Sequence, residues 1–339
     1  MEPTESIIRV AAVQAEPEWL DLQASVKKTC KLIAEAAQGG AALISFPEVF
    51  IPGYPGWIWT RPVDPELTKE YIMNSLKVDS KEMETIRACA ATNNINVVLG
   101  FSENDHNSLY LAQATISGSS GDILMKRRKV KPTHCERTIF GEGSGDSLQN
   151  VVELPIGRVG ALNCWEHALP LLKYHTYTQH EEIHVGSWPP LDPFVEGSPG
   201  HWGMSCEGSH NAGRQYALEG GCFVLHTTAV LSQPAIDRFR TQNGVIFHTP
   251  GGGSTAIYGP DGRRLTDPLP EHEEGLVFAD LDMSSILSAK MFMDNVGHYS
   301  RPDLLWVGAD ARQRKTLMAG SATKDAESGK QVSDLLASA

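Results

Sequence analysis

Three residues in this sequence could together hydrolyse a polarised carbon: Cys164, Glu48 and Lys129. Cys164 lies in the stretch RVGALNCWEH at 158–167. Residues 159–162 form a short, apolar, small-residue run that suits a buried strand. Ala168, Leu171 and Leu172 follow, spaced like one face of a helix, with Pro170 in the first turns, where a missing N–H costs least. A cysteine at such a strand-to-helix junction sits on a sharp turn with its sulfur aimed outward. Helix N–H groups and the helix dipole beside it would lower its thiol pKa. The competing reading is an inert cysteine buried as a small hydrophobe.

Glu48 follows the apolar run 41–46, and a carboxylate just past a buried strand lies at the edge where α/β proteins place ligands. Shielded from water, its pKa could rise enough to take a thiol proton. Lysines 129 and 131 end a second strand-like run. A fixed ammonium there would stabilise negative charge on a tetrahedral intermediate. Alternation puts both lysines on the same strand face, so spacing does not choose between them. The basic stretch at 126–131 also has a plain structural reading, a solvated edge strand protected from aggregation.

The elements that must position these groups follow an α/β pattern. Residues 7–14 predict a first strand. A helix follows to about residue 38, capped by Asp21 and stopped by Gly39-Gly40. An aromatic loop at 51–59, with two Pro and two Gly, predicts a pocket wall or a subunit contact, with core packing as the third option. Asp79-x-x-Glu82 resembles a capping box for a helix over 80–93. A strand is expected over 95–101, and 108–116 with 122–130 form a hairpin about 117–121. Further expectations are a strand at 183–188, a helix over 201–220, a strand over 222–231, and a hairpin of 254–258 with 275–281 about Gly259-Pro260-Asp261-Gly262. One domain is expected over 1–309, and the polar, Ser/Ala/Lys-rich stretch 310–339 reads as a disordered tail.

Composition narrows the partners. A formal net charge of −12 disfavours nucleic acid and anionic membranes. No apolar run reaches the roughly 18 residues of a membrane helix, and the acidic N-terminus does not read as a signal peptide. The six cysteines are scattered without C-x-x-C pairs, as expected in a reducing, cytoplasmic setting. The histidines have no ligand spacing with them, which argues against a zinc module.

Phe46-Pro47-Glu48, then Arg128-Lys129-Val130-Lys131-Pro132-Thr133, then Cys164-Trp165-Glu166 resemble the motifs of the carbon–nitrogen hydrolases of the nitrilase superfamily. The spelling is similar to the true nitrilase branch, with further matches at 184–189 and 297–303, and the likeness spans about 7–306. The resemblance implies a four-layer α-β-β-α sandwich, no metal and no organic cofactor. It implies a homo-oligomer too, of dimers extending into spiral filaments. It makes Cys164 the nucleophile, Glu48 the general base and Lys129, rather than Lys131, the charge stabiliser. Glu136 would orient Lys129 or shuttle protons. Trp165 could supply an oxyanion N–H, or its ring could be core; Tyr54 and Trp188 are the choices for an aromatic-accepting pocket. The implied reaction is hydrolysis of an aromatic or arylaliphatic nitrile to acid and ammonia. His167, found in fungal and cyanide-converting members, tilts toward a rival, conversion of hydrogen cyanide to formamide, although a structural histidine is the simpler reading. Amidase or carbamoylase activity and a non-catalytic filament scaffold are the remaining alternatives.

Overall fold

The computed structural model describes residues 7–314. In chain order the elements are β1 (Ile7–Ala15), α1 (Leu22–Gln38), β2 (Leu43–Ser45), α2 (Pro65–Asn74), α3 (Lys81–Thr92), β3 (Asn96–Asp105), β4 (Ser108–Ile116) and β5 (Ile123–Arg128). Then come β6 (Val151–Leu154), β7 (Gly157–Asn163), α4 (Pro170–Tyr177), β8 (Ile183–Trp188), α5 (Cys206–Gly220) and β9 (Phe223–Ala229). The last are α6 (Gln233–Phe239), β10 (Ala256–Tyr258), β11 (Gly275–Asp282) and α7 (Ser285–Phe292).

The strands form one continuous path, β5-β4-β3-β2-β1-β9-β8-β7-β6, with β10 on β9 and β11 on β1. The path bends at β1. That strand pairs with β11 from Ile7 to Gln14 but with β9 only at Gln14–Thr228 and Ala15–Ala229. Two layers therefore face each other, and period-two alternation tells which side chains fill the gap. Val10, Ala12, Leu43 and Val98 of one layer meet Val159, Ala161, Val185 and Leu225 of the other. Their neighbours Ala11, Val13, Ile44 and Val97 point the opposite way, onto Ile33 and Ala36 of α1 and Met83 and Ile86 of α3. Leu162 and Val224 likewise meet Leu172 and Tyr177 of α4 and Tyr216 and Ala217 of α5. The result is the expected α-β-β-α sandwich. Parallel strands, buried on both faces, carry near-continuous apolar sequence for this reason.

Several local expectations change. Ser80, not Asp79, caps α3, its side chain accepting from the Met83 N–H; Asp21 caps α1 as expected. Residues 254–258 and 275–281 do not pair, because β10 pairs with β9 and β11 with β1. The turn at Gly259 closes instead on 263–265, where Tyr258 bridges Arg264 and the Leu265 N–H donates to the Ile257 carbonyl. Leu171 is exposed while Leu172 is buried, so the two do not share a face. The segment after Cys164 is a single 3-10 turn, Cys164–Ala168, and α4 begins at Pro170. The aromatic loop is core: Trp57 and Ile58 are fully buried and pack with Tyr71 and Phe239. Helices α2, α6 and α7 were not expected. Of the tail expected over 310–339, residues 310–314 run beside Ser144 and Gly145, and 315–339 lie outside the described residues.

Candidate active site

Glu48, Lys129 and Cys164 come from three different strand ends, and the two-layer fold brings those ends together. Glu48 lies three residues beyond β2 (Leu43–Ser45), and its backbone N–H donates to the carbonyl of Trp188, the last residue of β8, at 3.2 Å. The Ser187 hydroxyl donates to the Phe46 carbonyl at 2.9 Å. These two bonds lock the β2 exit of one layer to the β8 exit of the other. Gly100 of β3 lies beneath the same turn, where a Cβ would fall on the Pro47 carbonyl oxygen. Gly100→Ala should therefore displace Glu48, lowering kcat at least about tenfold and costing about 1–3 kcal/mol of stability, as overpacking does. Turnover and a denaturant titration check both; an unchanged kcat would refute the argument.

Lys129 directly follows β5. Its N–H donates to Leu111 and its carbonyl accepts from Gly143, at 2.7 and 2.8 Å, which leaves its backbone little freedom. Its side chain is fully buried, and Nζ donates to Glu48 Oε1 at 2.9 Å and to Glu136 Oε1 and Oε2 at 3.1 and 2.8 Å. Lys131, by contrast, is exposed and paired with Glu142. Lys129 is thus the lysine of the site. Burial alone would strip its charge, but Glu136 and Glu48 outweigh burial and hold the ammonium above its ordinary range. Glu136 also accepts from the Tyr54 hydroxyl at 2.9 Å and the Thr133 N–H at 2.6 Å. These bonds fix the carboxylate between Lys129, Tyr54 and Thr133.

Burial pushes the Glu48 carboxyl up to about 8, with Glu136 adding to the rise and Lys129 opposing it. Oε1 is held by Lys129, while the equally buried Oε2 has no protein partner among the described residues. One oxygen is anchored and the other is free to take a proton.

Cys164 opens the 3-10 turn after β7 with φ +44°. A non-glycine residue in this region stores of order 1–3 kcal/mol, held here by pairing of Asn163 with Ser187 on β8. The thiol is buried, not turned outward, and its pKa is raised: burial is the main cause, Glu48 adds, and Lys129 and the Trp165 N–H oppose. The expected lowering by a helix dipole fails because one turn replaces a long helix, and desolvation wins. A thiol raised in this way becomes a thiolate only by giving its proton to a neighbouring group, and the Glu48 carboxyl beside it is raised to about 8.

Two further buried residues tie this site together and were not read as functional from sequence. Glu166 forms a bidentate pair with Arg127 at 2.6 and 2.7 Å, both side chains fully buried. It also accepts from the Val130 and Asn163 N–H groups at 2.8 and 2.9 Å. One carboxylate thereby holds the residue after Lys129 and the residue before Cys164. The basic stretch is not simply a solvated edge: Arg127 and Lys129 point inward, while Arg128 pairs with Glu103 and Asp105.

The aromatic choices divide. Tyr54 is buried with its hydroxyl on Glu136, and its ring lies 5.0 Å from Phe247. Trp188 is buried and packs with Cys164 and Leu191. The Trp165 ring lies 6.2 Å from His201. Leu191, His201 and Phe247 line one cavity of about 290 Å³, together with Phe194, Val195 and Ile246. Among the described residues no group of three or more His, Cys, Asp or Glu is placed to hold a metal ion. None of the described helices is long and apolar enough to cross a membrane.

A four-layer sandwich with a buried Cys, Glu and Lys at the strand ends defines a class of thiol-dependent hydrolases, and comparison with known proteins agrees. The carbon–nitrogen hydrolase family model matches residues 9–291, and the chain belongs to this family. It is 58% identical over 326 residues to an arylacetonitrilase from Aspergillus kawachii, covering 96% of this chain and 99% of that protein. It is 60% identical over 305 residues to one from Aspergillus niger, covering 90% and 92%. Among solved structures, the amidase from Nesterenkonia sp. AN1 superposes with a TM-score of 0.61 at 17% identity, over 86% of this chain and 98% of that one. The last likeness speaks to the fold alone.

Proposed function

We propose that this protein is a nitrilase that hydrolyses an arylacetonitrile to the carboxylic acid and ammonia, with Cys164 as nucleophile. The observation that carries the reading is the buried set in which Lys129 holds Glu48 Oε1 and Glu136 while Glu48 Oε2 stays free. Glu48 takes the thiol proton through Oε2 and Cys164 sulfur adds to the nitrile carbon. The nitrogen gains a proton, giving a thioimidate. Water activated by Glu48 adds to that carbon, and ammonia leaves with the C–N bonding pair, giving a thioester. A second water releases the acid and restores the thiol. Lys129 and the Trp165 N–H stabilise the negative charge that appears at each addition. If the tetrahedral intermediate expels the thiol instead, an amide forms.

The apolar cavity beside Leu191 suits a benzyl group. It favours an aryl substrate over hydrogen cyanide, as do relatives named arylacetonitrilases at 58% and 60% identity. Ammonia and amide release should be measured over hydrogen cyanide, benzonitrile, phenylacetonitrile, aliphatic dinitriles and simple amides. Phenylacetonitrile should turn over fastest, with acid as the main product. Amide turnover with no nitrile turnover would overturn the assignment.

The chain is also proposed to self-associate in the cytoplasm, as dimers that build filaments. Leu287, Met291 and Phe292 on α7 and Leu305 and Trp306 beyond it are all 70% exposed or more, which is unusual for a monomer. The free cysteines suit a reducing compartment. Sedimentation showing only a monomer at micromolar concentration would sink the first part, and cell fractionation tests the second.

A further inference from the structure

Behind the nucleophile lies a buried polar chain that the scheme above leaves unused. His167 shares the 3-10 turn with Cys164, and its Nδ1 is 2.7 Å from the Cys164 carbonyl oxygen. Its Nε2 is 3.0 Å from His184 Nε2 on β8. His184 Nδ1 is 2.8 Å from Glu181 Oε2, and the other Glu181 oxygen accepts from the Tyr216 hydroxyl on α5. All four side chains are buried.

Counting hydrogens gives this chain a direction. A carbonyl only accepts, so His167 Nδ1 carries its hydrogen. Burial pushes the His167 pKa well below the ordinary imidazole range, with His184 adding to the effect. The ring is neutral and its Nε2 is an acceptor. His184 Nε2 must then be the donor. One more proton lies between His184 Nδ1 and Glu181 Oε2, since two bare acceptors would repel at that distance. Donation therefore runs from His184 through His167 to the carbonyl of Cys164, with Glu181 sharing the proton on His184 Nδ1.

The strands are cut away to make room. A Cβ at Gly160 on β7 would fall on Glu181 Oε2. At Gly186 on β8 it would come within 3.1 Å of His167 Nε2 and 3.2 Å of Trp188 Nε1. Trp188 stacks on the His167 ring at 5.0 Å, closing its other face.

The acceptor at the end is one half of a peptide unit whose other half faces the chemistry. The Cys164–Trp165 peptide takes the His167 bond on its carbonyl, and the N–H at its other end works to lower the Cys164 thiol pKa. A donor on the carbonyl fixes the peptide plane and polarises it, strengthening the N–H. We propose that Glu181, His184 and His167 form a positioning relay that aims and polarises the Trp165 N–H, the donor for charge developing on sulfur and on the nitrile nitrogen. His167 touches the peptide and not the substrate, so it is a positioning residue. The inference rests on the nitrile-hydrolysing reading.

The test compares His167→Ala with His167→Asn, and Glu181→Ala with Glu181→Gln, in the full chain. By analogy with residues that orient a ligand from behind, His167→Ala should lose about 10- to 100-fold in kcat with KM within about threefold. His167→Asn, whose Nδ2 can reach the same carbonyl, should recover most of that loss. Glu181→Gln can still donate to His184 Nδ1 and should keep the rate, whereas Glu181→Ala should not. Iodoacetamide alkylation of Cys164, followed by mass spectrometry across pH, reads the thiol without turnover. Its midpoint should move up in both alanine variants and stay in both amide variants. Equal losses in His167→Ala and His167→Asn, a change confined to KM, or an unmoved midpoint would overturn the relay. If His167→Ala does not fold, the Glu181 pair decides alone. If the parent turns over no nitrile, the functional reading fails while the alkylation result still judges the relay.

Discussion

Glu48→Gln should lower kcat by about 10³- to 10⁴-fold, near the upper end of what a positioned base contributes. KM should stay nearly unchanged. Glutamine keeps an oxygen for the Lys129 bond seen at 2.9 Å and nearly the same shape, so the loss isolates proton transfer. The sign of the pH dependence follows from the raised carboxyl. Glu48 must be ionised to accept the thiol proton, and burial pushes it up to about 8. The kcat/KM of the parent should therefore climb with pH and level off above about 8. Stability moves the other way. A carboxyl raised from 4.5 to about 8 leaves the folded state holding a proton that the unfolded state has lost between those values. Stability from this group is full below about 4.5 and falls as pH rises to about 8. Relative to the parent, the variant should gain stability across that window. A kcat within tenfold of the parent, or a kcat/KM profile already flat at pH 6, would remove Glu48 as the base.

How much of this was legible beforehand depended on whether the deciding interaction was local. The apolar run before Cys164 predicts β7, and the Asp21 cap with Gly39-Gly40 predicts α1, because each signal lies within the element it defines. Strand alternation could not separate Lys129 from Lys131, and only the motif resemblance chose between them, since the partners that bury Lys129 are Glu136 and, 81 residues away, Glu48. Arg127 illustrates the same limit. A run of basic residues looks solvated until its partner is known, and Glu166 lies 39 residues on. The loop at 51–59 reads as a pocket wall or contact ahead of core because its aromatics lie on backbone that Pro and Gly mark as irregular. Irregular backbone can still be buried when its polar groups are paired, and here the Tyr54 hydroxyl finds Glu136 and the Tyr71 hydroxyl finds the Gly53 carbonyl. Helix α7 was missed because only Ile286 of its large apolar side chains is buried while Leu287, Met291 and Phe292 stay exposed, so no core-facing stripe marks it. The thiol of Cys164 was read as lowered from its place on a turn, yet depth of burial, a property of the whole fold, decides it.

The Arg127–Glu166 pair should separate stability from positioning. Burial works against charge on Glu166. Arg127 and the Asn163 and Val130 N–H groups overcome it and hold the carboxyl below its ordinary range. Arg127→Met leaves that carboxylate buried and uncompensated, which should cost about 3–5 kcal/mol, and Glu166→Leu should cost about the same by stranding the guanidinium. The double variant removes both charges. Apolar replacement of a buried pair is often neutral or better, so its stability should return to within about 1 kcal/mol of the parent. Turnover should not return with it. Glu166 alone accepts from the N–H groups of Val130 and Asn163, which flank Lys129 and Cys164, at 2.8 and 2.9 Å. A leucine offers them nothing, and both reacting side chains lose their fixed backbone. We expect kcat of the double variant to stay at least about tenfold down, because misplacement by about 1 Å can cost 10²-fold. Urea titration and steady-state kinetics on the same three variants read the two quantities independently. A double variant that regains full kcat would show that the pair serves stability alone, and single variants costing under 1 kcal/mol would show that it is not buried in solution.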